Sequence, residues 1–121
     1  VTNREFLYSA FYSFTNEQMM EWMEQWGCPV KVERGNRVFP VSDKSSDVIR
    51  AMERELGKRK VSVKLNTEVR QILTENGSIR GVEVNGGRKM KADKVVIATG
   101  GVSYPSTGST GDGHSLQKNG T

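Results

Sequence analysis

The chain has 121 residues, enough for one modest hydrophobic core, and a hydrophobic fraction of 35% with 13 glycines, which is typical of a globular protein. A formal net charge of only +4, without a long run of like charges, excludes a polybasic tail. The chain has one cysteine, which excludes an internal disulfide, and only one histidine, so the two together disfavour a zinc site. The lack of a long apolar stretch excludes a membrane-spanning helix.

Two helices are predicted at the start of the chain. Asn3 is a candidate cap for a first helix that runs to about Phe11. Thr15 and Gln18 have the spacing of a capping box, which predicts the start of a second helix. Four apolar side chains then recur at helical spacing and predict a stripe that faces the core or an interface, namely Met19, Trp22, Met23 and Trp26. Gly27 follows this stripe and is expected to end the helix.

A short hairpin and a third helix follow. Residues 30–33 and 37–41 are predicted strands, with Gly35-Asn36 as a two-residue connection because this pair adopts positive φ at low cost. Residues 42–46 offer capping groups for a helix whose apolar face carries Val48, Ile49, Met52 and Leu56. The helix is expected to end at the basic residues 58–60, where cations complement the helix dipole.

Beyond residue 60 the hydrophobic period changes to two. Residues 61–65 alternate between apolar and polar side chains and predict a strand. Three further strands are predicted at residues 69–74, 79–84 and 88–91, with turns at Asn76-Gly77 and at residues 85–87. Strands this short and this regularly separated predict a β-meander.

The most informative stretch is residues 94–113. The apolar run from Val95 to Ala98 predicts a strand that is buried on both faces, and it ends in Thr99-Gly100-Gly101. Because glycine lets backbone amides approach a ligand, and ligands in open α/β sheets lie beyond the carboxyl ends of strands, this is a candidate ligand-facing end. A core strand followed by an ordinary glycine turn explains the same residues.

Residues 98–113, ATGGVSYPSTGSTGDG, are similar to the BaiN-like family of NAD(P)- and FAD-dependent oxidoreductases. The similarity extends to residues 32–47, VERGNRVFPVSDKSSD, and to the first residues of the chain. It implies an α/β fold, mixed α+β in this piece, in which part of a Rossmann-like FAD-binding domain follows a helix–hairpin–helix portion. The helix–hairpin–helix portion covers residues 1–60 and would face the flavin or the substrate, and the FAD-binding part covers residues 61–121. In that domain the β-meander would connect two parallel strands, here residues 61–65 and 94–98.

The resemblance also implies cofactor contacts. The candidate FAD-binding residues are Asn3, Val69, Ala98, Thr99, Gly100, Gly101, Asp112 and Gly113. Val69 would offer its main-chain groups to the adenine, although a plain strand position explains it equally well. Helix capping is an alternative explanation for Asn3 and Asp112. Tyr104 and His114 are candidate proton donors, and neither is assigned a catalytic role.

The dinucleotide fingerprint G-x-G-x-x-G is absent from these residues, and Gly108, Gly111 and Gly113 have the reverse spacing. The chain starts at Val1 without Met and stops soon after a new helix begins. We therefore expect an internal piece of a larger flavoprotein, inactive and weak in FAD binding when alone. The rest of that protein would supply the fingerprint strand and helix.

The expected parent enzyme is cytoplasmic, binds FAD, takes electrons from NAD(P)H and acts on an unidentified small molecule, without nucleic-acid or membrane partners. The alternative from another class is a small basic α+β module that recognises a polyanion such as RNA. The sequence disfavours that alternative, because aromatic side chains do not alternate with Lys and Arg on one strand face.

Overall fold

A computed structural model describes residues 5–119 of the chain. The helices are α1 (Glu5–Ser13), α2 (Asn16–Gln25), α3 (Ser45–Lys58) and α4 (Asp112–Asn119). The strands are β1 (Val30–Glu33), β2 (Arg37–Pro40), β3 (Val69–Glu75), β4 (Ser78–Val84) and β5 (Arg88–Lys91). The chain divides into two compact units, Val1–Val63 and Lys64–Thr121. The resemblance implied a boundary after residue 60, which is three residues before the end of the first unit at Val63.

Helix α2 begins and ends as its sequence predicts. Thr15 Oγ1 accepts a hydrogen bond from the Gln18 N–H at 3.2 Å, and Gln18 Oε1 accepts one from the Thr15 N–H at 2.8 Å. The capping box is therefore confirmed. At the other end, Gly27 has φ +80, and the Cys28 N–H reaches the Met23 carbonyl at 2.8 Å. This is the left-handed glycine termination that the sequence indicates.

The hairpin β1–β2 forms, but its connection is longer than predicted. Glu33 pairs with Arg37, so three residues connect the strands instead of two. Gly35 and Asn36 both have positive φ, at +80 and +57, as the pair was expected to have. Arg34 is included in the loop because Glu33–Arg37 is the last paired position of the hairpin.

The core of the first unit lies where α2, α3 and the hairpin meet. Met23, Cys28 and Ala51 are buried, and four partly buried side chains pack against them, namely Met19, Trp26, Val30 and Val48. Three of the four predicted stripe residues on α2 thus belong to the core. Trp22 does not, since it is 45% exposed and its ring lies 4.6 Å from that of Phe14.

Helix α3 buries a different residue from those its periodicity suggested. Ala51 is fully buried, whereas three of the predicted apolar-face residues are substantially exposed, namely Ile49, Met52 and Leu56. The helix contacts β2. Because the side chain of alanine is only a methyl group, it lets a helix lie close to its neighbour. A search for large apolar residues at helical spacing overlooks such a buried alanine.

The second unit contains a three-stranded antiparallel sheet in the order β3-β4-β5. Glu75 pairs with Ser78 across a two-residue turn in which Asn76 and Gly77 have φ of +51 and +75, as their sequence predicts. Helix α4 packs against β3. The buried hydrophobic residues of these elements are Ile72 on β3, Val84 on β4 and Leu116 on α4.

The two predicted parallel strands, residues 61–65 and 94–98, are wrong for the described chain, because neither segment is paired with another strand. Their apolar side chains are also exposed, for example Leu65 at 79% and Val96 at 87%. An apolar run favours extended backbone, but a strand also needs a neighbour that accepts and donates its main-chain hydrogen bonds. No segment within residues 5–119 supplies that neighbour to either run.

Candidate functional site

A cavity of about 230 Å³ lies between the glycine-rich turn after residue 97 and the start of α4. It is lined by Ile97, Ala98, Thr99, Gly100, Gly113 and His114. The structure thus brings the predicted ligand-facing turn together with the Gly-Asp-Gly junction, which lies more than ten residues later in the chain. This juxtaposition makes the cavity the candidate functional site.

The close approach of turn and helix depends on glycine at position 113. A Cβ at Gly113 would lie 2.7 Å from Thr99 Oγ1 and 3.0 Å from Ile97 Cγ2. Both neighbours are β-branched and therefore stiff at χ1, so they cannot easily move aside. Any larger residue at position 113 would force the turn and the helix apart.

Two more glycines shape the same region. Gly100 has φ +75, and a Cβ there would lie 3.1 Å from Ser109 Oγ. Gly111 has φ +84, and a Cβ there would lie 2.9 Å from Val102 Cγ1. Both the positive φ and the lack of space explain why these positions carry no side chain.

The Ser- and Thr-rich segment between turn and helix is folded, although a flexible linker has a similar composition. The Tyr104 carbonyl accepts hydrogen bonds from the N–H groups of Thr107 and Ser109, at 3.0 and 3.3 Å, and from Thr107 Oγ1 at 2.9 Å. Gly108 follows in a left-handed conformation with φ +99. These bonds fold the chain back so that α4 starts beside the turn.

The first turn of α4 gives the cavity its polarity. The leading N–H groups of a helix lack partners within the helix, and together with the helix dipole they favour a ligand oxygen or anion. Gly113 is the second residue of α4 and lines the cavity. Asp112 is exposed in the same first turn, where its carboxylate complements the dipole.

The predicted site residues are placed as follows. Ala98, Thr99, Gly100 and Gly113 line the cavity. Gly101 and Asp112 adjoin lining residues in the chain without lining the cavity themselves.

Val69 lies elsewhere, at the first position of β3, where it pairs with Val84 and is 36% exposed. It does not line the cavity. Asn3 lies outside the described residues, as does the start of the predicted first helix.

Two lining residues were not among the predicted FAD contacts. Ile97 was expected in the core of a buried strand, yet it is 42% exposed and lines the cavity. His114 was considered only as a proton donor, and its ring is the one titratable side chain among the six lining residues. The sequence feature that could have indicated a place for His114 in the cavity is its position directly after Gly-Asp-Gly.

The cavity is too small to hold a whole FAD molecule. Ligand sites usually occupy about 300–1,000 Å³, and this cavity of about 230 Å³ is smaller. The glycine turn and the helix start are suited to a polar or anionic group, because the start of a helix favours ligand oxygens. Ala98, Thr99, Gly100 and Gly113 would therefore hold one part of the cofactor.

Other kinds of site find no support in the described part of the chain. Residues 5–119 contain no group of three or more His, Cys, Asp or Glu side chains placed to hold a metal ion. None of the four described helices has the length and apolar character to cross a bilayer.

Known proteins resemble this chain in sequence. The family model described as the HI0933-like protein Rossmann domain matches residues 1–121. A curated relative from Clostridium scindens, a 3-dehydro-bile acid delta(4,6)-reductase, is 29% identical over 115 residues. These residues are 94% of this chain and 27% of that protein, so the chain spans about a quarter of its relative's length. The chain belongs to the HI0933-like Rossmann-domain family, which is the family of FAD-dependent oxidoreductases that its sequence resembles.

Proposed function

We propose that this chain forms one wall of the FAD site of an oxidoreductase. The observation that carries the proposal is the glycine cradle, in which the turn at residues 98–100 meets the first turn of α4 across Gly113. Membership of the HI0933-like family supports the choice of FAD over other ligands that bind at a helix start. Val69 would approach the adenine through its main chain, a role taken from the resemblance.

Each group in the proposed wall has a limited task. FAD, when bound, carries the redox chemistry, and the protein supplies binding and orientation. Thr99 would contribute its hydroxyl, and Gly100 and Gly113 would contribute main-chain groups. His114 lines the same cavity and is positioned to hold or donate a proton at its ring nitrogens.

The reaction that we propose is a reduction supplied with electrons by NAD(P)H. The relative from Clostridium scindens is named a reductase, and a reductase requires an electron donor. The substrate is proposed to be a small molecule, without nucleic-acid or membrane partners. A cytoplasmic location is proposed because Cys28 is free and buried, which suits a reducing compartment.

The flavin assignment is tested by purifying the full-length product of the reading frame that contains these residues and recording its visible absorption spectrum. The protein is expected to be yellow, or to become yellow after incubation with FAD. A protein that stays colourless after that incubation would overturn the proposal.

The cradle itself is tested with Gly113→Ala, since the new Cβ would meet Thr99 Oγ1 and Ile97 Cγ2. We expect flavin occupancy to fall severalfold while the protein remains folded. The matched control is Gly57→Ala, because Gly57 is also helical but has open space where its Cβ would be. Equal occupancy in the two variants would contradict the assignment of Gly113 to the site.

The 121-residue chain alone is expected to bind FAD poorly. The cavity is smaller than an ordinary ligand site, and the two apolar segments at residues 61–65 and 94–98 are unpaired. The test is a titration with FAD followed by flavin fluorescence. Saturable binding at micromolar FAD or below would show that the wall described above is sufficient.

A further inference from the structure

A second cavity, of about 380 Å³, lies in the first unit between the residues that follow α2 and one side of α3. Its lining combines a buried thiol and an apolar wall with polar groups on one side, among them Cys28, Val41, Ser42, Asp47, Arg50 and Arg54. This cavity is separate from the candidate flavin cavity, which is lined by residues of the second unit.

The two arginines lie four residues apart, so both occupy one side of α3. Arg54 is held in place, because its Nη2 donates to the Trp26 carbonyl at 3.0 Å. It also lies over Gly27, where a Cβ would come within 3.4 Å of the same Nη2. A guanidinium has five N–H donors, so this single bond leaves most of the Arg54 donors available.

The charges of the cavity do not balance. Asp47 is engaged twice, since its Oδ1 lies 3.2 Å from Arg50 Nη1 and its Oδ2 accepts a hydrogen bond from Ser42 Oγ at 2.6 Å. Among the described residues Arg54 has no carboxylate partner within ion-pair distance. The lining thus carries two cations against one anion, and like charges at this helical spacing repel. An anion between the two guanidinium groups would relieve that repulsion.

We propose that this cavity binds the oxyanion group of a small molecule, a phosphate or a carboxylate. Arg54 is its main contact, because its donors face no competing carboxylate. Arg50 completes the polar side, while Cys28 and Val41 contact the adjoining apolar part of the ligand. Arginine suits this role because its planar fork matches two oxygens of a phosphate or carboxylate at once.

The test is an NMR titration of the isotope-labelled chain with inorganic phosphate at low, constant ionic strength, and then with acetate. We expect saturable shifts at the Arg54 and Arg50 Nε–H groups and at the backbone amides of Ser42 and Cys28. Stronger binding of phosphate than of acetate identifies a phosphate-bearing ligand, and the reverse order identifies a carboxylate. Shifts that do not saturate, or that are equal at the exposed Arg70, would overturn the proposal.

Variants distinguish specific binding of the anion in this cavity from non-specific attraction of anions to basic surface residues. Arg54→Gln is expected to weaken binding by about tenfold, the effect of losing a hydrogen bond to a charged group. Asp47→Asn is expected to strengthen binding, since it removes the one carboxylate in the lining. Arg70→Gln is the control, because Arg70 pairs with Glu68 in the other unit. The proposal would be overturned if phosphate bound to the Arg54→Gln and Arg70→Gln variants with the same affinity.

Arg54→Gln also removes the bond to the Trp26 carbonyl, so each variant is first checked for an unchanged thermal unfolding midpoint. If Arg54→Gln fails to fold, Arg50→Gln and Asp47→Asn decide the question. Their affinities must then change in opposite directions, weaker for Arg50→Gln and stronger for Asp47→Asn. A change in the same direction would overturn the proposal.

Discussion

At the scale of single residues, Gly81 shows how one missing side chain sets the geometry of a sheet. Its φ is +156, and a Cβ there would lie 2.0 Å from the Met90 carbonyl oxygen. Gly81 pairs with Leu73 on one side and Lys91 on the other, next to a shift in the β3–β4 register. The contact is with backbone, so no side-chain rotation can relieve it.

Gly81→Ala is therefore expected to lower the free energy of unfolding by about 2 kcal/mol or more, the range of strongly strained substitutions. Gly77→Ala is the control, because Gly77 has positive φ but open space around its Cβ position. That control is expected to lose about 1 kcal/mol from backbone strain alone. Urea unfolding of both variants measures the difference, and equal losses would contradict the role of the Met90 contact.

Lys31 is held by two carboxylates on the surface of the first unit. Its Nζ lies 2.8 Å from Asp43 Oδ1 and 3.1 Å from Glu33 Oε1. The hydrogen bond to Asp43, and next the one to Glu33, raise the pKa of Lys31 above its ordinary value. Because the pKa is higher in the folded state, the pairing stabilises the fold fully below the unfolded pKa. The contribution is lost as pH rises through the folded pKa.

We expect Asp43→Asn to lower the Lys31 pKa more than Glu33→Gln does, since the Asp43 bond is the larger cause. An NMR titration of the Lys31 ammonium through the alkaline range measures both shifts. Added salt is expected to reduce the difference, because the pair is exposed to solvent. A larger effect from Glu33→Gln would contradict the assignment.

At the scale of elements, α2 and α3 end in the same way with different residues. In α3 the Val61 N–H reaches the Leu56 carbonyl at 3.0 Å, and Lys60 takes the left-handed position with φ +56. Gly27 holds the equivalent position after α2. A side chain in this conformation costs energy that glycine avoids, so the end of α3 carries local strain.

Lys60→Gly is expected to raise the free energy of unfolding of the first unit by about 0.5–1 kcal/mol, because it removes that strain. Glu53→Gly, in the middle of α3, is expected to lower it by about 1 kcal/mol, since glycine is a poor helix former. Thermal unfolding of the two variants gives the opposite signs directly. A loss of stability in Lys60→Gly would show that the lysine side chain makes a larger favourable contribution.

At the scale of the whole molecule, the mild net charge of +4 leaves the polyanion alternative open to a direct test. Several cations are already engaged, for example Arg59 with Glu55 at 2.8 Å and Arg80 with Glu75 at 3.3 Å. A phosphate in the cavity lined by Arg50 and Arg54 would contact one or two positive charges, whereas a nucleic-acid site needs a continuous basic surface.

We therefore expect RNA and DNA to bind weakly, with an affinity that falls steeply as salt increases. Fluorescence anisotropy with labelled oligonucleotides at two salt concentrations measures this. Tight, salt-resistant binding of one defined oligonucleotide would favour the polyanion-binding module over the oxidoreductase.

The features that the sequence alone determined are local. The capping box at Thr15, the helix end at Gly27 and the turn at Asn76-Gly77 each depend on residues within a few positions of one another. The hydrogen bonds or positive φ values that define them form inside one turn, so their residue types are sufficient to predict them. The family resemblance likewise depends on a contiguous string of residues, 98–113.

The features that only the tertiary structure decided are those that need a distant partner. The run at residues 94–98 has the composition of a buried strand, but no described segment pairs with it, so it remains exposed and unpaired. The importance of Gly113 and the place of His114 emerge only when α4 folds back against Thr99. A sequence records local backbone preference directly, whereas pairing, burial and cavity shape depend on which surfaces meet, and that is settled by the packing of the folded chain.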